Sequence, residues 1–534
     1  MALKNPPVPI PENKVTYKNG NNQQTKYVYY TVRAYRNENG KSTSDEVLIG
    51  KKAETEGQMI PNQRYYEIFE KKDNLTSSKT TDAEPERILN AGSAYVLEEI
   101  ATQTGLAEIL ADCFPGKWKQ MLACAFYMVC EGNTMAYISD WFDENRPKNM
   151  EPMDDRECSR LFASITAEER RGFFHEWIRN RKEKEYISYD VTSVSTYSDN
   201  IEIAEWGYNR DEESLPQINF GMFYGMTSHV PVYYEIYSGS VPDKECLDYM
   251  MANANEYGIR DVCFVIDRGF VTEDNISSVS DYKYKFITSM PGNLTMAAKL
   301  VDGHGHKIRK SANRLSELGI YGVQVPVGIF GYDLQAYIYL DPEKQAQDEK
   351  EIYAHIEKLR RELDKTGKSR RAPKRYLDYF KIDGNTESSF TYELDTDKID
   401  MLINRAGFFI LLSNIPELSS EKAIEIYRNR DMVEKHFDQL KNFLDFKRLR
   451  THWLKTTEGK VFVGFLALIL QSHMRWLLKK DATVKSLTFK KVLIELRKIK
   501  KVVMSDLREV LIPLTKLQKM ILCSLCVPVD PLYD

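Results

Sequence analysis

Within SSEKAIEIYRNRDMVEKHFDQLKNFL, Ser419 to Leu444, four side chains suited to a charged substrate recur at fixed intervals: Tyr427, Arg430, Glu434 and Lys441. At about 100° per residue they fall within roughly 60° of one another, which makes one polar stripe on a helix. Ile426, Val433, Phe437, Leu440 and Leu444 form an apolar stripe beside it, so such a helix packs on a core and presents the four polar groups to a ligand. One carboxylate between cations and a phenol suits a divalent metal flanked by phosphate contacts. The plainer alternative is a solvated face on which Glu434 pairs with a neighbouring Arg or Lys. Ser419 or Ser420 caps the start, Glu421 suits the positive end, and no Gly or Pro interrupts the following residues, so the stretch predicts one long helix.

The middle of the chain supplies strands that bring further acids to such a helix. Tyr186 to Val191 (YISYDV) reads as a strand carrying Asp190, and Ile218 to Tyr224 and Val230 to Tyr237 follow as two more, together an antiparallel meander. A helix is expected from Lys244 to Tyr257. Val262 to Ile266 is a continuous apolar strand that ends on Asp267-Arg268-Gly269-Phe270. A carboxylate at the end of a buried strand stands at the sheet edge, where ligands of α/β domains usually sit. Taken singly, either aspartate also suits a turn cap.

Taken in order, strand-Asp, strand-Asp-Arg-Gly-Phe and helix-Glu within the Tyr-Arg-Glu-Lys spacing resemble bacterial insertion-sequence transposases of the DDE class, the group named for insertion sequence four. The resemblance extends from Tyr186 to about Trp476. It implies an α/β fold with an RNase H-like catalytic core, and a catalytic, metal-binding triad of Asp190, Asp267 and Glu434. It implies two Mg²⁺ or Mn²⁺ ions per active site, which in phosphodiester chemistry lie about 4 Å apart, activate the attacking oxygen and stabilise the leaving one. By the family's pattern Asp190 bridges both ions, with Asp267 on one side and Glu434 on the other. The implied activity is cleavage at transposon ends followed by strand transfer into target DNA. Tyr427, Arg430 and Lys441 would then bind DNA rather than perform the chemistry. The implied partners are double-stranded DNA, as terminal inverted repeats and as target, and a second copy in a homodimer on the DNA. A transposase-derived DNA-binding protein without activity is the alternative.

The 166 residues between Asp267 and Glu434 exceed one sheet-to-helix connection, which predicts an inserted subdomain. Relatives of the resembled group carry a Trp in such an insertion that stacks on a flipped base. This insertion has none, leaving Tyr321, Phe330, Tyr332, Tyr337 and Tyr339 as substitutes. Val323 to Leu340 reads as paired strands, Glu349 to Lys365 as a charged helix, and Gly407 to Leu412 as a returning buried strand. His304 and His306 flank a glycine in an expected polar turn. Lys365, Lys368, Arg370, Arg371, Lys374 and Arg375 form a cationic cluster that serves a DNA backbone or a solvated loop equally well.

The remaining chain divides by composition. Residues 1–75 read as a small β meander, with Asn19-Gly20 and Asn39-Gly40 as turns, and the polar stretch Asp73 to Pro85 as a linker. Residues 86–184 read as a helical domain suited to binding DNA ends, with helices from Ala94 to Cys113 and Lys117 to Cys130 and a capping box at Thr166 and Glu169. The core then falls into 185–290 and 406–480 around an insertion at 291–405, and 481–534 reads as a basic helical tail. The net charge of −4 excludes a uniformly basic nucleic-acid binder. Between Lys441 and Val510, however, 17 Lys and Arg stand against 6 Asp and Glu, a local +11 that leaves the rest at −15. Lys447, Arg448 and Arg450 in that region are placed to follow a DNA backbone, and Val461 to Leu478 is an apolar helix expected to cover the sheet.

The eight scattered cysteines suit a reducing compartment, and the lone Cys523/Cys526 pair has no second pair to complete a zinc site. No apolar leader opens the sequence, and the apolar run Val461 to Leu470 is too short to span a bilayer. The expectation is a cytoplasmic protein without a membrane partner, associated with the nucleoid when bound to DNA.

Overall fold

The computed structural model describes residues 7–19, 25–36, 42–69, 84–181, 186–366, 374–383, 391–430, 435 and 437–532. Gly20, Asn39-Gly40, most of the expected linker, the centre of the cationic cluster (Lys368, Arg370, Arg371) and Glu434 lie outside them. The chain forms two compact units, Met1–Glu84 and Pro85–Asp534.

In the first unit, Val15–Asn19, Lys26–Arg36, Ser42–Lys52, Gln58–Pro61 and Val8–Pro9 pair in that order as an antiparallel sheet. Val28, Ile49 and Met59 fill its small core, with Tyr30, Tyr65 and Phe69 against them.

The second unit is built on a nine-stranded mixed sheet. Its strands are β1 (Tyr186–Ser195), β2 (Gln217–Gly225), β3 (Pro231–Ser238), β4 (Cys263–Ile266), β5 (Lys285–Ser289), β6 (Arg314–Leu315), β7 (Ile320–Ile329), β8 (Tyr332–Leu340) and β9 (Phe408–Ser413), in spatial order β6-β7-β8-β9-β5-β4-β1-β2-β3. β1, β2 and β3 form an antiparallel meander, β4 lies parallel to β1, and β5 lies parallel to β4. That order and those directions are the RNase H-like arrangement. β4 is buried at every residue, which explains why it reads as a continuous apolar run rather than an alternating one.

The segment expected as a separate insertion is divided in two. The β7–β8 hairpin extends the central sheet, because β8 pairs antiparallel with β9 from Gln335↔Ser413 to Leu340↔Phe408. Only the described residues between Pro342 and Arg405 build a satellite, around Ile356, Leu359, Leu363, Tyr376, Phe380 and Ile399. His304 and His306 lie on the helix Thr295–Ile308, not in a turn.

Around the sheet, Gly92–Gln103, Leu106–Cys113, Trp118–Glu131, Asp155–Ser164 and Ala167–Asn180 form the helical block. The stretch read as one helix from Ala94 to Cys113 breaks at Gly105, whose φ of 72° is left-handed. Thr166 and Glu169 form the expected capping box. Leu454–Lys480 runs through this block: Phe462 meets Phe114 and Phe173, and Phe465 meets Phe174 and Tyr234 of β3. The helix joins sheet to helices rather than simply covering the sheet. By length and composition it is long and apolar enough to cross a membrane, unlike the shorter run read from sequence, and 78% of its most apolar window is buried in the unit.

The segment after Asp481 is not wholly helical. Phe489–Arg497 and Lys516–Ser524 are helices, but Lys500–Met504 is a strand between Glu509–Leu511 and Pro85–Asn90. Val502 and Val503 favour extended backbone over the helical pattern of the preceding lysines.

Candidate catalytic site and nucleic-acid interface

β1 and β4 run parallel in register, with Ile266 opposite Tyr189. Asp190 on β1 and Asp267, the first residue beyond β4, therefore follow that last matched pair, and the strands that carry them lie about 4.8 Å apart. Each carboxylate is held in the same way. Asp190 Oδ1 accepts the amide of Val191 at 2.8 Å, and Asp267 Oδ1 accepts that of Arg268 at 2.7 Å. Each also meets an arginine: Arg210 Nη1 lies 3.4 Å from Asp190, and Arg430 Nη1 donates to Asp267. Asp190 is 10% exposed at its side chain and Asp267 38%, so the pair passes from the buried sheet toward solvent.

Arg210 has no counterpart among the residues singled out from sequence. It arrives on the connection 196–216 between β1 and β2, and its Nη2 also donates to Asp243 at 2.7 Å. Burial opposes its charge, but Asp190 and Asp243 outweigh that and hold the guanidinium above its ordinary value. The signal available in the sequence is the charged run Asn209-Arg210-Asp211-Glu212-Glu213 in a connection much longer than a hairpin loop.

The helix expected across Ser419 to Leu444 is interrupted. Ser419 caps Ser420–Arg428, but Asn429 and Arg430 form a turn, with the Arg430 amide bonded to the Tyr427 carbonyl three residues back. Asn is a weak helix former, and the tighter bond ends the i to i−4 ladder there. Gln439–Phe443 is a π turn, in which the Leu444 amide reaches the Gln439 carbonyl. The polar stripe is accordingly split. Arg430 Nη1 donates to the Tyr427 hydroxyl at 2.7 Å, and its guanidinium lies 4.8 Å from that ring centre. Burial pushes the Tyr427 phenol up to about 12, so it stays a neutral donor. Lys441 instead donates to Asp211, 2.7 Å away on the 196–216 connection. Its side chain is only 8% exposed; burial lowers its pKa while Asp211 opposes that shift.

Of the three cations beyond, Lys447 is exposed, Arg448 forms a two-point pair with Glu213, its Nη2 2.8 Å from Oε1, and Arg450 pairs with Asp445 and reaches Thr134 at 2.7 Å. A cleft of about 620 Å³ lies between Tyr197, Ser198, Lys447, Arg448, Arg450 and His452. The Ser195↔Arg448 bridge ties this segment to the end of β1, so the cleft adjoins the strand that carries Asp190. A cavity of about 660 Å³ lined by Phe443, Arg475 and Trp476 includes neither aspartate.

The aromatic residues expected from sequence do not gather here. Tyr337 and Tyr339 are fully buried, their hydroxyls donating to the carbonyls of Leu418 and Ser420, while Tyr321, Phe330 and Tyr332 are half-buried. Exposed rings stand instead at Tyr197, Trp206, Tyr208 and Trp453, at 63% to 83%.

Among the described residues no group of three or more His, Cys, Asp or Glu is close enough to hold a metal ion, and Glu434 lies outside them. Asp190 and Asp267 nonetheless fit a divalent metal: two hard oxygen donors in neighbouring register, each beside a guanidinium whose positive charge an ion would replace.

No curated protein matches the sequence. Among solved structures, the chain is similar to a piggyBac transposase synaptic complex with hairpin DNA (13% identity, TM-score 0.34, 76% of each chain covered). It is also similar to a Mos1 mariner paired-end complex with Mn (12%, 0.14, 47% of this chain and 75% of that one) and to a Drosophila P element transposase strand-transfer complex (12%, 0.15, 68% and 94%). Residues 181–470, more than half the chain, match the family described as the transposase DDE domain. The chain belongs to the transposase DDE domain family.

Proposed function

We propose that the protein cleaves DNA at the ends of a transposable element and joins the freed 3′ ends to target DNA, as a transposase of the Tyr-Arg-Glu-Lys, insertion-sequence-four group. The observation that carries this reading is the placement of Asp190 and Asp267 just beyond the last matched pair, Tyr189 and Ile266, of two parallel neighbouring strands. Glu434, four residues beyond Arg430, completes the triad. Those three carboxylates hold two Mg²⁺ or Mn²⁺ ions, which when bound supply Lewis acidity to the phosphodiester oxygens. Arg430 and Tyr427 hold a phosphate beside Asp267, and Lys441 and Arg448 take phosphates along the strand toward the cleft at Lys447 and Arg450. The helical residues 86–184 bind the element's ends, and the protein works as a homodimer on DNA, in the cytoplasm and on the nucleoid.

Nicking of duplex DNA by purified protein in Mn²⁺ tests this reading. Replacing Asp190, Asp267 or Glu434 by Ala should abolish nicking and leave DNA affinity largely intact. Retained nicking in any of the three removes that residue from the triad. DNA binding without nicking by the unaltered chain would instead identify the inactive, transposase-derived DNA-binding protein.

A further inference from the structure

The connection 196–216 commits three nearly consecutive side chains to residues of the site. Arg210 lies on Asp190, Asp211 on Lys441, and Glu213 on Arg448. Each is opposite in charge to its partner and alike in charge to what that partner would engage: a cation for Asp190, a phosphate for Lys441 and Arg448. Lys441 shows the competition most directly. With 8% of its side chain exposed and Asp211 at 2.7 Å, a phosphate oxygen must compete with that carboxylate for its ammonium.

Ile201 in the core and the Glu205↔Gln217 bridge anchor the first half of the connection, whereas residues 209–213 are fastened by bonds that water can replace. Asn209 Nδ2 donates to Ser195 Oγ at 3.0 Å, the Arg210 amide to Ser193 Oγ at 3.2 Å, and the Asp211 amide to Asn209 Oδ1 at 2.8 Å. The same connection carries Tyr197, Trp206 and Tyr208, large rings left 66% to 83% exposed. Exposed rings beside cations suit stacking with nucleobases.

We propose that residues 209–213 form a lid that occupies the DNA site from within: Asp211 and Glu213 stand where two backbone phosphates bind, Arg210 covers Asp190, and a DNA strand displaces all three together. The lid rests on the reading of the chain as a DNA-acting transposase. It sets a threshold, since the site opens only to a ligand carrying at least two phosphates in line.

The experiment compares the full chain with the Asp211→Asn/Glu213→Gln variant for binding a short duplex of arbitrary sequence at low salt, followed by fluorescence anisotropy. Even an exposed ion pair accounts for a few-fold in equilibrium, so loss of these two partly buried internal competitors should tighten binding about tenfold or more. A second measurement needs no variant: in the unaltered chain, saturating duplex should speed amide hydrogen exchange at 210–213, whose N–H groups are bonded to Ser193 of β1 and to Asn209 while the connection is closed. Equal or weaker binding by a folded variant overturns the lid, as does unchanged or slower exchange at 210–213. If neither chain binds duplex, the transposase reading fails and the lid with it.

Discussion

Replacing Arg430 by Ala should make the protein bind Mn²⁺ more tightly while weakening its hold on DNA. Arg430 lies on Asp267 with its side chain 14% exposed, so an ion approaching that carboxylate must first displace a guanidinium. Asp190 and Asp267 follow the last matched pair of two neighbouring strands, and two unit charges about 5 Å apart repel by roughly 3 kcal/mol at an effective dielectric constant of about 20. Asp267 is 38% exposed, and solvent screening at such a site brings the contribution of its ion pair down to about 1 kcal/mol. A divalent ion in the variant gains that amount by relieving the repulsion unopposed, which corresponds to roughly fivefold in Kd. The assay is titration of the protein with Mn²⁺ in the absence of DNA, following the electron paramagnetic resonance signal of the free ion. Asp267→Asn serves as the control that should lose the gain. Equal or weaker Mn²⁺ affinity in Arg430→Ala would refute the idea that guanidinium and metal compete for one carboxylate.

Other substitutions test the frame. Gly459 lies where a β-carbon would fall 2.6 Å from the carbonyl carbon of Phe162, so Gly459→Ala must force two buried helices apart; it should cost about 1–3 kcal/mol, read as a lower urea midpoint. Lys460 is buried beside the Arg450 carbonyl, and burial pulls its pKa down to about 7. Between that value and 10.5 the unfolded chain holds a proton the folded one does not, so stability rises with pH across this window and is least below about pH 7. Lys460→Met should therefore raise the urea midpoint more at about pH 6 than at about pH 10, and a gain independent of pH would contradict the shift. Tyr427→Phe keeps the ring under Arg430 but loses the hydroxyl at 2.7 Å, so DNA affinity should fall less than with Arg430→Ala, measured by anisotropy on the same duplex.

Much of the RNase H-like core is legible in the sequence because its strands announce themselves. Val262 to Ile266 is apolar at every position since both faces are covered, and the aspartate that comes next must then stand at the sheet edge. The hairpin Ile320–Leu340 is legible as strands but not as part of the same sheet, because its pairing with Phe408–Ser413 joins residues some 70 apart and leaves no local pattern. The stripe at Tyr427, Arg430 and Lys441 presumes an ideal helix. A turn at Asn429 and a π turn at Gln439 alter that geometry, and neither breaks the apolar spacing that periodicity detects. The ion partners of the site are the least legible. Lys441 and Arg448 find acids more than 200 residues away, and charge alone cannot tell which of the chain's 78 acids a cation will meet. The exposed rings at Tyr197, Trp206 and Tyr208 escape a sequence reading for a related reason: an aromatic residue in a long connection has the same local pattern whether the fold covers it or leaves it bare.

The pairing of Pro85–Asn90 with Lys500–Met504 ties one of the first segments of the larger unit to one of the last. On a ribosome adding about 5–20 residues per second, the earlier strand waits roughly 20–80 seconds for its neighbour. Until then its polypeptide edge is open to other chains. That edge consequently closes only once Lys500–Met504 has been made, and a product cut short before Lys500 carries an unpaired edge in place of a finished surface.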